Sequence, residues 1–306
     1  MSVFLEGHTV VYAGHGYGGI GPYLLLNDVQ GASQYCYGVV GKRFSMKMLP
    51  QRYCVGRFDL LTYEKSVCPL ALELLPTDKD DMCPACKEAT GFNPSFYNAE
   101  VVSPQQRAYN QTKHYVYLAY FSKQHVKAGI SSETRGIERL LEQGARAARI
   151  VGRFSNADEA RALEAALCSQ PGILETMRAS LKARLLAEEP YRPEEAIQVL
   201  KARSQQLADV PEVAQAGFSL AEEPMDLSAF YFGGPSPDVS TLTLSEGHDG
   251  HLGGLCIGMV GDKLVMRQRG FGYVASLKEW DAHAVELLLD EVTVDYKVNP
   301  QQVSLF

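Results

Sequence analysis

Four cysteines constrain this chain most, because their spacing is typical of a metal site. They are Cys54, Cys68, Cys83 and Cys86, and the last two form a C-x-x-C turn. Four thiolates in tetrahedral geometry suit zinc. A redox C-x-x-C pair and unrelated buried cysteines are the alternatives. A zinc site with four cysteine ligands is coordinatively closed, so residues 54–86 are predicted to form a structural zinc ribbon.

The cysteines and the apolar runs together predict the cellular compartment of the protein. The chain has 306 residues and seven cysteines, an odd number, and their spacing is that of a metal site, which suits a reducing cytoplasm better than a disulfide framework. No apolar run reaches the roughly 18 residues of a membrane helix, and the first residues lack a secretory signal pattern. We therefore expect a cytoplasmic protein without membrane association. Cys36, Cys168 and Cys256 are expected to be small core residues.

Changes in composition and periodicity predict an α+β protein of three regions. Residues 1–100 are β-rich and contain the ribbon. Residues 101–190 form a central domain of strands and helices. Residues 191–306 begin with a polar helix, continue through a proline-containing linker at 210–240, and end in a C-terminal β-hairpin region.

Two distant segments repeat one pattern. Residues 36–46 and 256–266 both begin Cys-x-Gly-x-Val-Gly and both end in methionine. Each pattern predicts a strand, a glycine turn and a second strand. We expect two related hairpins that pack together, so that the N- and C-terminal segments share one β module.

The central region has its own sequence of elements. The predicted order is a strand at 115–121, a strand at 125–131, a helix at 136–143, a strand at 146–154, and a helix from 155 or 156 to about 169. The first two strands would form a hairpin. Gly144 would end the first helix, and Ser155 or Asn156 would cap the second.

The central region is also locally basic within an acidic protein, whose formal net charge is −7. Residues 101–155 contain three acids and nine basic residues. The basic residues are Arg107, Lys113, Lys123, Lys127, Arg135, Arg139, Arg146, Arg149 and Arg153. Such a stretch is typical of a surface that contacts a phosphate backbone, and a solvated charged face is the alternative.

Three central segments resemble the GIY-YIG nuclease superfamily. They are His114–Phe121, Val126–Ser131 and Arg139–Ala145. The chain is most similar to an uncharacterised bacterial and archaeal family that joins a four-cysteine ribbon to such a domain, and residues 258–266 resemble that family's closing hairpin. The resemblance implies a GIY-YIG-like domain, built on a three-stranded antiparallel sheet with helices and flanked by β-rich segments.

The resemblance also implies roles for four side chains. Tyr117 occupies the place of the superfamily's first tyrosine, and Lys127 stands where the second tyrosine would be. Arg139 matches the helical arginine that stabilises phosphate charge. Glu164 matches the glutamate that holds a divalent ion, Mg²⁺ or Mn²⁺. A lysine of ordinary pKa is charged at neutral pH, so it binds phosphate rather than accepting a proton.

We expect the protein to bind nucleic acid. If it is also an enzyme, the expected activity is that of an endonuclease that depends on a divalent ion. Tyr117 would act as a base or a positioning group. The expected contacts to nucleic acid, whether DNA or RNA, are Lys113, Lys127, Arg135, Arg139 and Arg146. Two alternatives remain open. One is a non-catalytic, zinc-stabilised scaffold or regulatory subunit that binds a protein partner, and the other is an enzyme acting on a nucleotide or another small phosphate ligand.

Overall fold

A computed structural model of the protein describes residues 2–19, 21–92, 102–233, 242–244 and 250–290. The strands are β1 Ser2–Val3, β2 Val10–Gly18, β3 Gly21–Asp28, β4 Ser33–Gly38, β5 Arg43–Tyr53, β6 Arg57–Phe58, β7 Lys65–Ser66, β8 Glu73–Leu74, β9 His114–Ser122, β10 His125–Ser132, β11 Ala147–Phe154, β12 Ile173–Leu174, β13 Met225–Asp226, β14 Leu242–Leu244, β15 His251–Val260, β16 Lys263–Gln268, β17 Phe271–Ser276 and β18 His283–Leu289. The helices are α1 Pro84–Thr90, α2 Pro104–Asn110, α3 Glu138–Gln143, α4 Ala157–Cys168, α5 Ala179–Glu188, α6 Pro193–Ala208, α7 Pro211–Gln215 and α8 Ser228–Phe232. None of these helices is long and apolar enough to cross a membrane.

A large, mostly antiparallel sheet combines both ends of the chain. Its strand order is β14-β17-β16-β15-β5-β18-β2-β3-β4, with β1 beside β18 and β8 beside β5. Strand β5 lies between two C-terminal strands, so that Arg43 is opposite Leu255 and Ser45 is opposite Leu288. The prediction that the two repeated segments pack together in one β module is therefore confirmed.

Only one of the two predicted hairpins is present. Strands β15 and β16 form a hairpin in which Val260 is opposite Lys263, and Gly261 supplies a positive φ of 60° in the turn. The hairpin predicted at residues 36–46 is wrong, because β4 pairs with β3 at the sheet edge whereas β5 lies at the centre. The connection between them is bonded to β15 instead: the Gly41 N–H donates to the Cys256 carbonyl, and the Cys256 N–H donates to the Lys42 carbonyl.

A smaller sheet forms the central domain. Its order is β12-β10-β9-β11-β13. The three long strands β10, β9 and β11 are antiparallel, as predicted; two short strands extend them, and β12 runs parallel to β10. The predicted end of the first helix and the predicted start of the second are also confirmed, whereas the first helix begins at Glu138, two residues later than predicted. Gly144 ends α3 in the left-handed region, and the Asn156 side chain caps α4 by accepting the Glu159 N–H at 3.0 Å.

Strand β9 lies at the centre of the protein and is buried on both faces. Side chains alternate across a strand. One face, including Tyr115 and Tyr117, belongs to a core shared with the large sheet, α3, α5 and α8. The opposite face, including Val116 and Leu118, packs with α4, α6 and α7. The smaller sheet is therefore continuous with the large sheet through a common core.

The predicted linker at residues 210–240 contains packed structure. Residues 211–232 form α7, β13 and α8, because their apolar side chains are buried. Val213 and Tyr231 have no exposed surface, and the Tyr231 hydroxyl donates to the Ala145 carbonyl at 2.6 Å. The prediction of a linker or irregular structure is therefore wrong for α7, β13 and α8, whereas residues 216–224 are irregular and residues 234–241 lie outside the described residues.

Candidate metal centre and central-domain site

The four predicted cysteine ligands meet at one point. The Sγ atoms of Cys54, Cys68, Cys83 and Cys86 all lie within 4.8 Å of one another, and all four residues are buried. Each comes from a short loop or from the first turn of α1, near the small hairpin β6–β7. The group could hold a metal ion. Among the described residues, no other group of three or more cysteine, histidine or carboxylate side chains has this geometry.

The backbone around Cys54 is arranged for a thiolate. Its Sγ accepts the Gly56 N–H at 3.4 Å and the Cys83 N–H at 3.2 Å. Gly56 has a φ of +98°, and a Cβ there would lie 1.9 Å from the Ser66 carbonyl oxygen. Only glycine fits this position, because a side chain would meet backbone atoms that cannot move aside. The chain is thus folded tightly around the first cysteine.

The cysteine segment also packs on the large sheet. Leu74 and Ala282 belong to the same buried cluster as the four cysteines. The Tyr53 N–H donates to the Ala282 carbonyl at 2.8 Å, and β8 pairs with the end of β5. A metal bound by the cysteines would therefore stabilise one end of the sheet as well as its own loops. Cys256 is buried as expected, whereas Cys36 is exposed, so the prediction of a core position for Cys36 is wrong.

The four residues assigned by resemblance lie in one neighbourhood. Tyr117 on β9 is opposite Gly129 on β10. Arg139 lies on α3 and Glu164 on α4. The charges of Arg139 and Glu164 both influence the pKa of Tyr117 and the pKa of Lys127. Arg139 and Glu164 thus lie within electrostatic range of both strand residues, although α3 and α4 pack on opposite faces of the smaller sheet.

Burial changes the protonation chemistry of the two strand residues. Tyr117 is only 1% exposed, and burial raises its pKa to about 12. Its phenol stays protonated at neutral pH, which favours a positioning role over a role as base. Burial lowers the pKa of Lys127 from its ordinary value although Glu164 acts in the opposite direction. The Lys127 ammonium donates to the Ala128 carbonyl at 2.9 Å.

Glycine at position 129 allows the Tyr117 ring to cross β10. A Cβ added to Gly129 would lie 2.6 Å from the Tyr117 hydroxyl oxygen and 2.7 Å from Cζ. We expect Gly129→Ala to displace the ring and to lower the free energy of unfolding by about 1 kcal/mol, since the end of a tyrosine side chain can shift. Chemical denaturation in a double-mutant cycle with Tyr117→Ala tests the contact. Additive costs in that cycle would show that the two residues do not interact.

Most cations of the basic central stretch are already paired or buried. Arg146 is 4% exposed, and its guanidinium lies 4.3 Å from the centre of the Tyr191 ring. Arg149 is buried and donates to the carbonyls of Leu220 and Glu222. Arg153 forms ion pairs with Glu222 and Glu133. Because Arg146 is buried too deeply to contact a phosphate, it is not part of the proposed nucleic-acid interface.

The other predicted contact residues are more accessible. Lys113 is exposed, and Lys127 is half-buried. The Arg139 side chain is 39% exposed and lies 3.8 Å from Glu142. Arg135 forms an ion pair with the same glutamate. These four cations remain candidates for phosphate contacts.

A cleft beside these arginines was not predicted from the sequence. It has a volume of about 510 Å³. Its aromatic lining residues are Tyr23, Phe58, Tyr63, Phe92 and Tyr109, its basic ones are Lys65, Arg135 and Arg139, and its acidic ones are Glu138 and Glu142. They come from the large sheet, the cysteine segment and the central domain, so no local sequence pattern marks the cleft.

Fold and site define a mixed α+β, sheet-rich protein with a four-cysteine cluster able to bind a metal. The model of a family described as "Protein of unknown function (DUF2797)" matches residues 41–285, most of the chain. The protein belongs to this family. No curated protein and no solved structure matches the chain.

Proposed function

We propose that this protein binds nucleic acid and cleaves phosphodiester bonds with the help of a divalent ion, using a GIY-YIG-like central domain. The observation that supports the proposal is that Arg139 of α3 and Glu164 of α4 both lie within electrostatic range of Tyr117 and Lys127 on neighbouring strands. Together they provide a buried hydrogen-bond donor, two cations and a carboxylate. This set suits a reaction that builds negative charge on a phosphate.

Each side chain has a proposed task. Arg139 and Lys127 bind the phosphate group, and the Tyr117 phenol holds its neighbours in place from beneath the surface. The Glu164 carboxylate would bind Mg²⁺ or Mn²⁺, because such ions are often held by one or two carboxylates and by substrate phosphates. When bound, the ion would stabilise charge on the phosphate and activate water.

We also infer that the metal of the cysteine cluster is zinc in a structural role. A Zn–S bond of about 2.3 Å in tetrahedral geometry requires sulfur atoms about 3.8 Å apart. The Sγ atoms of Cys68 and Cys83 are 4.0 Å apart, so an ion of this size fits with little movement. Four thiolates leave no open position for substrate, which separates this site from the proposed catalytic site.

A second candidate is a non-catalytic subunit that binds a protein partner. The near-complete burial of Tyr117 and the presence of Lys127 in place of a second tyrosine favour it. This candidate and the nuclease differ in one measurable property, which is metal-dependent strand cleavage.

The test uses labelled single- and double-stranded DNA and RNA, with binding and cleavage followed at several salt concentrations in Mg²⁺ or Mn²⁺. We expect the double variant Arg139→Ala/Lys127→Ala to lose about tenfold in affinity near 0.1 M salt, with a shallower salt dependence. Glu164→Gln is expected to bind normally but to cleave about 100-fold more slowly. The control is Arg184→Ala, which removes an exposed arginine paired with Glu188 on α5.

Two results would contradict the proposal. The absence of binding to every polymer by folded, metal-loaded wild type would exclude nucleic acid as the partner and support the protein-binding candidate. Cleavage by Glu164→Gln at the wild-type rate would show that the reaction does not use this carboxylate.

A further inference from the structure

The cleft lies where three parts of the protein meet. Tyr23 on β3 forms part of one side, Phe58 and Tyr63 of the cysteine segment form another, and Arg135 and Arg139 of the central domain form a third. Its volume of about 510 Å³ is within the usual range for small-ligand sites, about 300 to 1,000 Å³. The position next to Arg139 connects it with the proposed phosphate site.

Aromatic rings form much of the wall. Five aromatic side chains line the cleft. The rings of Tyr63 and Tyr109 pack edge to face with centroids 6.4 Å apart, and those of Phe58 and Phe92 are 6.5 Å apart. Phe92 is 47% exposed although it is apolar. Exposed ring faces in a cleft bind flat, apolar faces of a ligand, such as those of nucleobases.

Arg135 provides an unused hydrogen-bond donor at the same place. Its guanidinium carbon lies 4.8 Å from the centre of the Tyr63 ring, and its terminal nitrogen pairs with Glu142. Its Nε–H is buried and has no hydrogen-bond partner among the described residues. A buried donor without a partner destabilises a protein unless a ligand or water satisfies it. The Arg135 residue also lines the cleft, where its positive charge would attract a phosphate.

The Tyr63 ring is held in a fixed position. Its backbone has a φ of 61°, a left-handed conformation that a bulky residue rarely adopts. The Asp59 carboxylate stabilises the turn by accepting the N–H groups of Leu61 and Thr62, both at 2.8 Å. At the other end, the Tyr63 hydroxyl lies 3.0 Å from the Ser132 hydroxyl oxygen. A ring held in this way loses little conformational entropy when a ligand binds.

We propose that this cleft binds an unpaired nucleotide of a nucleic-acid strand, with its base against the aromatic rings and its phosphate beside Arg135 and Arg139. The inference rests on the proposed function, because Arg139 is common to both sites. In a duplex the faces of the bases are covered by their neighbours, so only an unpaired base presents a face for stacking. The cleft therefore selects single-stranded over double-stranded segments.

The test is fluorescence anisotropy with full-length, metal-loaded protein and four ligands. These are a labelled single strand, the matching blunt duplex, a strand of equal length in which every position is abasic, and a free mononucleotide. We expect wild type to prefer the single strand to both the duplex and the abasic strand by about tenfold. Tyr63→Leu is expected to lose this preference, whereas Tyr63→Phe, which keeps the ring, retains it.

Two further variants serve as a matched control and as a replacement for Tyr63→Leu. Tyr35→Leu is the matched control, because Tyr35 is an exposed tyrosine of β4 that is absent from the cleft lining, whereas its neighbours Gln34 and Cys36 line the cleft. Phe92→Ala removes an exposed ring and leaves the core intact, so it replaces Tyr63→Leu if that variant fails to fold. Thermal unfolding and metal content verify folding in each case.

The outcomes separate this inference from the proposed function. Equal affinity of wild type for single strand, duplex and abasic strand overturns the cleft assignment, as does unchanged single-strand affinity in folded Tyr63→Leu and Phe92→Ala. If Glu164→Gln then still abolishes cleavage, the proposed function stands without the cleft. A mononucleotide that binds as tightly as the strand overturns the assignment to a nucleic-acid strand. Loss of stacking in Tyr63→Leu together with cleavage by Glu164→Gln supports the cleft and contradicts the catalytic proposal.

Discussion

Replacing Cys83 with serine is expected to release the bound metal and to unfold the segment from Cys54 to Thr90. Serine has no thiolate, so the tetrahedral site loses one of its four ligands. Structural zinc contributes an apparent binding free energy of about 10 to 16 kcal/mol, which is comparable with the whole stability of a typical domain, about 5 to 15 kcal/mol. Apart from its four cysteines, the segment contributes only Leu74 to the buried residues of its cluster, with Val55 and Met82 partly buried, so the loss of metal should not be compensated.

The measurement is metal content per chain together with protease sensitivity. Wild type should contain stoichiometric zinc, and a strong chelator should make the cysteine segment as sensitive to protease as it is in Cys83→Ser. The matched control is Cys36→Ser, since Cys36 is exposed and lies outside the cluster. Wild type that is purified without metal and is unaffected by a chelator would refute the metal site.

Gly258→Ala is expected to lower the free energy of unfolding more than Gly129→Ala does. A Cβ at this position of β15 would lie 2.0 Å from Cδ1 of Phe232 and 3.0 Å from the Tyr231 carbonyl oxygen on α8. A backbone atom cannot shift as freely as a side-chain end, and Phe232 is itself buried. We therefore expect the free energy of unfolding to fall by up to about 3 kcal/mol.

The cost should arise from separation of α8 from the sheet. Tyr231 on α8 donates its hydroxyl hydrogen to Ala145 of the central domain, so the helix links the two sheets. The matched control is Gly18→Ala on β2, where the nearest atom to an added Cβ is Cε1 of Tyr23 at an ordinary 3.6 Å. Urea denaturation compares the two variants, and equal stabilities would contradict the close packing of α8 on β15.

Elements defined by neighbouring residues could be predicted from the sequence. Gly144 and Asn156 fix the ends of their helices through local backbone geometry and capping, and the β9–β10 hairpin follows from a short turn. The four cysteines were found in the same way, because metal ligands form a recognisable set of residue types. In these cases the structure is determined by interactions between residues that are close in the sequence, or by the metal-binding chemistry of the side chain itself.

Features that depend on distant partners could not be predicted in this way. The pattern at residues 36–46 is compatible with a hairpin, but β5 obtains its partners from strands about 200 residues or more later. Glu222 and Glu195 lie outside the basic central stretch in the sequence, yet in the fold they form ion pairs with Arg153 and Lys123. The cleft combines rings from three segments, and only the folded chain brings them together.

The position of β5 has a consequence for the synthesis of the protein. This strand is synthesised about 200 residues before its two long neighbours β15 and β18. Its pairing with them has to wait until those strands are made, and unpaired strand edges favour association between chains. Closure of the large sheet over so long a sequence separation is also intrinsically slow. The nascent chain therefore exposes the long edges of β5 until β15 and β18 have been made.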